Sequence, residues 1–214
     1  MTQTATTLAS PNRAKLLVET RKAVPADIPQ VAAVMARAFD DDPFANWFAA
    51  QDKRRAARVY TFMELALTKL TLRYREVHTT RAFEGAAFWN PPGTWKMNLF
   101  QQLLLTPSFA RVATWRRVPK VIQGLDAVEK KHPRKPHFYL LALGVEPTLQ
   151  GRGIGTELMA PVLTRCDAEG IPAYLESSKE RNVPMYERNG FKETEEMVVP
   201  NGGPKLWLMW RDPQ

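Results

Sequence analysis

Three glycines alternate in the run Gln150-Gly151-Arg152-Gly153-Ile154-Gly155-Thr156. A strand-like stretch, Phe138 to Val145, leads in, and a helix-like stretch, Thr156 to Glu169, leads out. Glycines at such a junction leave backbone N–H groups bare at a helix N-terminus, where a dipole equivalent to about half a charge favours an anion. The chemistry on offer is capture of a phosphate. The run is not the nucleotide P-loop, because no Lys-Ser/Thr follows the glycines. It also lacks dinucleotide-binding spacing and the acidic ribose ligand that would stand about 20 residues further on. Downstream come Glu176-Ser177-Ser178, Asn182, and the run Tyr186-Glu187-Arg188-Asn189-Gly190-Phe191. A tyrosine, with a reference pKa of about 10, stays protonated at neutral pH and can donate a proton, and a carboxylate can accept one.

These residues need a scaffold, and the hydrophobic pattern supplies one. Residues 1–14 are rich in Thr, Ser and Ala without periodicity and read as a disordered tail. Residues 15–214 read as a single domain. Leu16 to Val24 is a first strand, and Pro25-Ala26-Asp27 starts a helix that Asp27 can cap and that stops at Asp40-Asp41-Asp42-Pro43. The aromatic residues Phe39, Phe44, Trp47 and Phe48, with Trp89, fit equally well as core or as the wall of a substrate pocket stacking on a flat molecule. Gln51 to Arg73 has helical spacing, and Tyr74 to Thr80 with Gly85 to Asn90 reads as an antiparallel pair. Residues 94–136 read as a helical insertion and linker, broken near Thr106-Pro107 and Pro119. After the glycine run, Pro161 predicts a kink in its helix, which Gly170 ends. Ala173 to Ser177 is a strand, Asn182 to Asn189 a short helix, and Phe191 to Val199 pairs with Lys205 to Trp210 across Pro200-Asn201-Gly202-Gly203.

Composition narrows the classes. A net charge of +8 over 214 residues suits an anionic partner. The basic run Lys130 to Pro136 has no interleaved aromatics, so a solvated linker is expected and no nucleic-acid partner. The single cysteine, Cys166, excludes an intrachain disulfide and suits a reducing compartment, and its place on an apolar helical stripe makes it a core residue. No apolar run reaches the roughly 18 residues of a membrane span, and the N-terminus lacks an apolar signal region. A soluble cytoplasmic protein, monomer or homodimer, is expected. His132 and His137 have no Cys or carboxylate partners at metal spacing, and His78 stands alone, so no metal site is expected.

The fixed order of strand, Gln150-x-x-Gly153-x-Gly155, helix, strand ending in Glu176, and Asn182-x-x-x-Tyr186-Glu187-x-x-Gly190-Phe191 resembles the GCN5-related N-acetyltransferase (GNAT) superfamily. The likeness covers residues 16–211 and is most specific from His137 onward. Within the superfamily the chain most resembles the puromycin N-acetyltransferase group. The segments that carry this are Lys135-Pro136, Leu143-Gly144-Val145, Gln150 to Gly155, Leu175 to Ser178, Arg181-Asn182-Val183-Pro184, Tyr186 to Phe191 and Trp207-Leu208-Met209-Trp210. The resemblance implies an α/β (α+β) fold, with a mixed, mostly antiparallel sheet of about seven strands splayed at the cofactor site and flanked by helices. It implies acetyl-CoA as cofactor. The N–H groups of Gly151 to Thr156, Ile154 among them, would hold its pyrophosphate, and Arg152 would add a charge. Backbone groups of Leu143 and Val145 would pair with pantetheine as an extra strand, and Asn182 would hydrogen-bond the cofactor. Tyr186 would be the general acid to the leaving thiolate. The acceptor implied is a small-molecule amine, in this group an aminonucleoside. Glu176 is the candidate base or ammonium anchor, ahead of Glu146 and Asp40 to Asp42. A protein or peptide N-acetyltransferase and a non-catalytic acyl-CoA sensor are the alternatives.

Overall fold

The computed structural model describes residues 16, 18–96 and 99–214. The expected tail, 1–14, lies outside them. Seven strands form one sheet: β1 (Thr20–Lys22), β2 (Val77–Thr80), β3 (Gly85–Asn90), β4 (Phe138–Val145), β5 (Ala173–Ser177), β6 (Lys192–Val198) and β7 (Lys205–Arg211), in the order β1-β2-β3-β4-β5-β7-β6. Every neighbouring pair is antiparallel except β4 and β5. Buried and half-buried residues alternate along the whole of β4, the pattern of a strand that faces a helical layer on each side.

Among the described residues seven α-helices flank the sheet: α1 (Ile28–Ala38), α2 (Pro43–Phe48), α3 (Arg55–Leu65), α4 (Leu99–Ala113), α5 (Val118–Lys131), α6 (Ile154–Glu169) and α7 (Val183–Arg188). On one face α6 buries Ile154, Leu158, Met159, Val162 and Cys166 against Trp89, Phe138, Leu140, Leu175 and Met209. On the other face α1 and α3 cover Ala86, Phe88 and Ala142 with Val31, Val34, Met35 and Met63. Beside them α2, α4 and α5 bring Trp47, Phe48, Val112 and Val121 against Tyr174, Leu206 and Leu208. Each large apolar side chain buried this way contributes about 1.5–3 kcal/mol.

The elements depart from the sequence expectations at five places. The first strand pairs only over Thr20–Lys22, and Leu16 instead donates its N–H to the Arg152 carbonyl at the glycine run. The Asp27 side chain does not cap α1. Its carboxylate accepts from the Val24 N–H at 2.9 Å and from both Arg21 guanidinium nitrogens. The aromatic cluster forms α2, capped by Asp42, whose Oδ1 accepts the Ala45 N–H at 2.9 Å, with Pro43 in the first turn. The insertion does not break at Pro107. α4 runs through it, and the turn falls at Thr114, where φ is +70°. After α3 the chain passes through a π-helical stretch, Ala66–Thr71.

Two irregularities in β4 position the site. It pairs with β5 only at Phe138↔Ala173 and Tyr139↔Tyr174, after which the strands part. Leu140 to Val145 therefore keep one edge free of ladder partners. Buried backbone groups left unpaired cost about 1–3 kcal/mol each, so such an edge must face a cleft or a ligand. On its other edge β4 matches Phe88 to Ala142 but Trp89 to Leu140, which leaves Leu141 outside the β3 ladder as a bulge.

Candidate active site

The gap between β4 and β5 is a cavity of about 490 Å³, lined by the free β4 edge, the glycine run, the end of β5, Asn182 and Tyr186. Its floor is made by backbone geometry. Gly151 and Gly153 have φ of +78° and +85°, a region that a Cβ disfavours. Their turn brings the chain into α6, whose first N–H groups have no carbonyl partner within the helix. Gln150 holds the entry, its Nε2 donating to the Val145 carbonyl at 3.1 Å. Asn189 ties the other side, donating from Nδ2 to Thr156 Oγ1 at 3.2 Å. Lys179, Arg181 and Arg188 also line this cavity, as do the carboxylates Asp42 and Glu176.

The expected cofactor residues converge, with one exception. Leu143, Val145, Gln150, Gly151, Gly153, Ile154, Gly155, Thr156 and Asn182 all line the cavity. Arg152 does not, its carbonyl being taken by the Leu16 N–H. Asn182 precedes α7 without using its side chain as a cap, so the amide is free to face the cleft. Tyr186 is 7% exposed, on the inner face of α7, with its ring edge-on to Phe191. Burial pushes its hydroxyl well above the usual tyrosine value, and the charge of Asp42 pushes it further the same way. It is held protonated throughout the physiological range.

A second cavity, about 250 Å³, lies under α1, α3 and the insertion. Phe39, Phe44, Phe48, Phe62, Phe109 and Trp95 make its walls largely aromatic. Two expectations for this pocket are corrected. Trp89 is fully buried on the opposite face of the sheet, in the α6 core, because residues alternate along β3: Ala86 and Phe88 face α1 and α3, and Ala87 and Trp89 face α6. Trp47 turns into the core beside Gly124 and does not line the cavity.

The two cavities share Phe39, Asp42, Leu141, Ala142, Glu176 and Ser178. Both carboxylates at this junction are held in place. Asp42 Oδ2 accepts the Ser178 hydroxyl at 2.5 Å. Glu176 is not a surface carboxylate: its side chain is 7% exposed and its Oε1 lies 3.2 Å from His132 Nδ1. His132 Nε2 lies 2.9 Å from His137 Nε2, and His137 Nδ1 lies 2.6 Å from the Lys135 carbonyl. The His132 ring stacks on Trp95, with centroids 3.7 Å apart. The other carboxylates weighed from the sequence are paired elsewhere: Glu146 with Arg37, Asp40 with Arg55, and Asp41 with Lys179 and Arg181.

Sequence reasoning missed His132, His137 and Trp95 as members of the site. The two histidines are five residues apart and their carboxylate partner is 44 residues downstream, so spacing alone could not join them. Among the described residues, no group of three or more His, Cys, Asp or Glu side chains is placed to hold a metal ion. No helix among them is long and apolar enough to cross a membrane.

Comparison with known proteins agrees with the geometry. The model of the acetyltransferase (GNAT) family matches residues 75–191. An uncharacterized N-acetyltransferase of Schizosaccharomyces pombe is 26% identical over 199 residues, which span 88% of this chain and 81% of the relative. A solved structure from Corynebacterium glutamicum, described as histone acetyltransferase HPA2 and related acetyltransferase, superposes with a TM-score of 0.71 at 21% identity, over 93% of this chain and 98% of the other. Arylalkylamine N-acetyltransferase 2 of Aedes aegypti gives a TM-score of 0.61 at 13% identity, over 92% and 99%. At these identities the structural likeness is one of fold.

Proposed function

Since the chain belongs to the acetyltransferase (GNAT) family, we propose that it transfers an acetyl group from acetyl-CoA directly to the primary amine of a small molecule with an aromatic or apolar body. Aminonucleosides of the puromycin type are one such class. The observation that carries this reading is the junction: a glycine-floored cleft and an aromatic cavity share one short wall, and that wall holds two buried carboxylates.

The residues present fit coenzyme A. Gly151 and Gly153 adopt positive φ where a pyrophosphate would need close backbone approach, and the free β4 edge offers N–H and C=O groups to an extended amide chain. When bound, the cofactor supplies an activated acetyl thioester. Tyr186 lines the same cleft and, held protonated, donates a hydrogen bond and then its proton to the leaving sulfur. Asp42 and Glu176 attract the ammonium form of the acceptor to the junction. Glu176 then takes its proton, because only a neutral amine can attack. For an alkylamine of pKa about 10.4 that deprotonation costs roughly 4–5 kcal/mol at neutral pH, and for an α-amino group about 1 kcal/mol. The aromatic walls select the body of the acceptor and exclude water from the junction.

The walls of the second cavity are largely aromatic and apolar, which favours an amine with an aromatic or apolar body. A panel of acetyl-CoA turnover assays tests the reading. Arylalkylamines and aminonucleosides should release thiol in proportion to N-acetyl product, and peptides should not. Faster turnover on peptides would move the assignment to protein acetylation. Tight acetyl-CoA binding with no turnover on any amine would make the protein an acyl-CoA sensor.

A further inference from the structure

Hydrogen-bond accounting around Glu176 defines a base larger than one carboxylate. The Lys135 carbonyl can only accept, so His137 carries its proton on Nδ1. Burial disfavours the charged form of His137, and the nearby His132 acts in the same direction. Neutral His137 therefore presents a lone pair at Nε2, and His132 must donate from its own Nε2 across the 2.9 Å contact. That leaves His132 Nδ1 facing Glu176 Oε1 at 3.2 Å. With His132 neutral and Glu176 ionised, two lone pairs face each other across that gap. One added proton turns the repulsion into a hydrogen bond.

We propose that Glu176 and His132 act as a single composite base that takes the acceptor's proton into the gap between them, with His137 as the positioning residue that fixes the His132 tautomer. The inference rests on the acetyltransfer reading above and deepens it. In the step, an N–H bond of the acceptor ammonium breaks and its electron pair stays on nitrogen. The proton becomes bonded to Glu176 or to His132 Nδ1 and shared with the other. The freed lone pair would form the new C–N bond in exchange for the thioester C–S bond, whose electron pair leaves on sulfur with the Tyr186 proton. The nitrogen's second proton would restore Tyr186, and the first returns to solvent once the product has left. A carboxylate reference pKa of about 4.3 against about 6.5 for imidazole makes the histidine worth up to about a hundredfold in proton affinity.

The surroundings suit a proton that comes and goes. Trp95 stacks on the His132 ring, a face that also favours imidazolium. Tyr139 from β4 and Tyr174 from β5 stand edge-on to it at 4.7 and 4.8 Å, and burial together with the Glu176 charge holds both hydroxyls protonated. From α5, Glu129 lines the same cavity but is paired with Lys96 at 2.8 Å. His137 is bounded by Tyr174, Trp210 and the Lys135 carbonyl.

The test uses the full chain, acetyl-CoA and 2-phenylethylamine as the probe amine, with kcat/KM measured against pH for wild type and His132→Gln. A glutamine side chain can still hydrogen-bond Glu176 but cannot take a proton. The plateau should fall about tenfold to a hundredfold and the acid limb should move to lower pH, with acetyl-CoA affinity unchanged. A limb and plateau that stay within about twofold of wild type would overturn the proposal. The second arm needs no amine. Imidazole ¹⁵N spectra should show His132 gaining its proton in a transition that Glu176→Gln displaces to lower pH, while His137 keeps its Nδ1–H. A His132 transition indifferent to Glu176→Gln would show that no proton is shared. If the wild type releases no amine-dependent thiol, the acetyltransfer reading falls and the catalytic use of the pair falls with it. The spectra still decide whether the proton is shared.

Discussion

Burial raises both Tyr186 and Cys166, with opposite consequences because only Tyr186 lines the cleft. Tyr186 is raised by burial and by the charge of Asp42, yet it lines the cleft, so it keeps its proton where the proposed mechanism needs a general acid. Tyr186→Phe should lower kcat by about 10²–10⁴-fold and leave acetyl-CoA affinity within about twofold, checked by steady-state assay and calorimetry. The shift is upward, so the hydroxyl does not ionise as pH rises through the neutral range and adds no alkaline limb there. Cys166, fully buried on α6, is pushed up to about 12 by burial and forms no useful thiolate. Cys166→Ala should keep full turnover per folded molecule, and any loss should appear as a lower unfolding midpoint. Tyr186 was legible in the sequence because it stands four residues after Asn182 within a patterned run. Glu176 was legible as a strand-end carboxylate, but its burial and its histidine partner were not, since both depend on how the insertion folds back over β5.

At the scale of elements, the cleft depends on a loop, a splay and a bulge. Gly153→Ala would place a Cβ at a φ of +85°, which costs about 1–2 kcal/mol. The acetyl-CoA Kd should rise about five- to thirtyfold by calorimetry, because 1.4 kcal/mol is a factor of ten. An unchanged Kd would separate the loop from cofactor binding. The loop was legible from its alternating glycines. The bulge at Leu141 was not, because no glycine or proline marks it in the run Leu140-Leu141-Ala142. Trp89 falls on the α6 face by the alternation of β3 alone, and the sequence did not say which face of that strand meets the second cavity. The α2 helix was written in Asp42-Pro43, a capping residue followed by proline, but six residues of aromatic sequence carry too little periodicity to reveal a helix.

The whole molecule is held at its β2 edge by one buried carboxylate. Glu76 contacts Lys22 at the end of β1, His78 on β2 and Arg165 on α6, with the Arg165 contact at 2.7 Å. Burial pushes its carboxyl up, but hydrogen bonds from His78, Arg165 and Lys22 outweigh that and bring it to about 2. A pKa depressed on folding contributes stability that is present above the unfolded value and lost as pH falls toward the folded one. Glu76→Gln should therefore destabilise the protein by on the order of 2–3 kcal/mol near neutral pH, discounting for the exposed Lys22 arm. The difference should shrink steadily between about pH 4.5 and pH 2, checked by denaturant unfolding at several pH values. At this scale the net charge of +8 finds part of its use in Lys179, Arg181 and Arg188 around the cleft.

In the proposed mechanism the acetyl group passes directly from thioester to amine, with no acyl-enzyme formed on Ser178 or any other side chain of the junction. Among the described residues Cys166 is the only cysteine, and it lies in the α6 core away from both cavities. The measurement that bears on this most directly mixes stoichiometric protein and acetyl-CoA and follows free thiol before and after 2-phenylethylamine is added. Direct transfer predicts no thiol release before the amine and one thiol per N-acetyl product after it. A full equivalent of thiol per chain released before any amine is present would contradict the account.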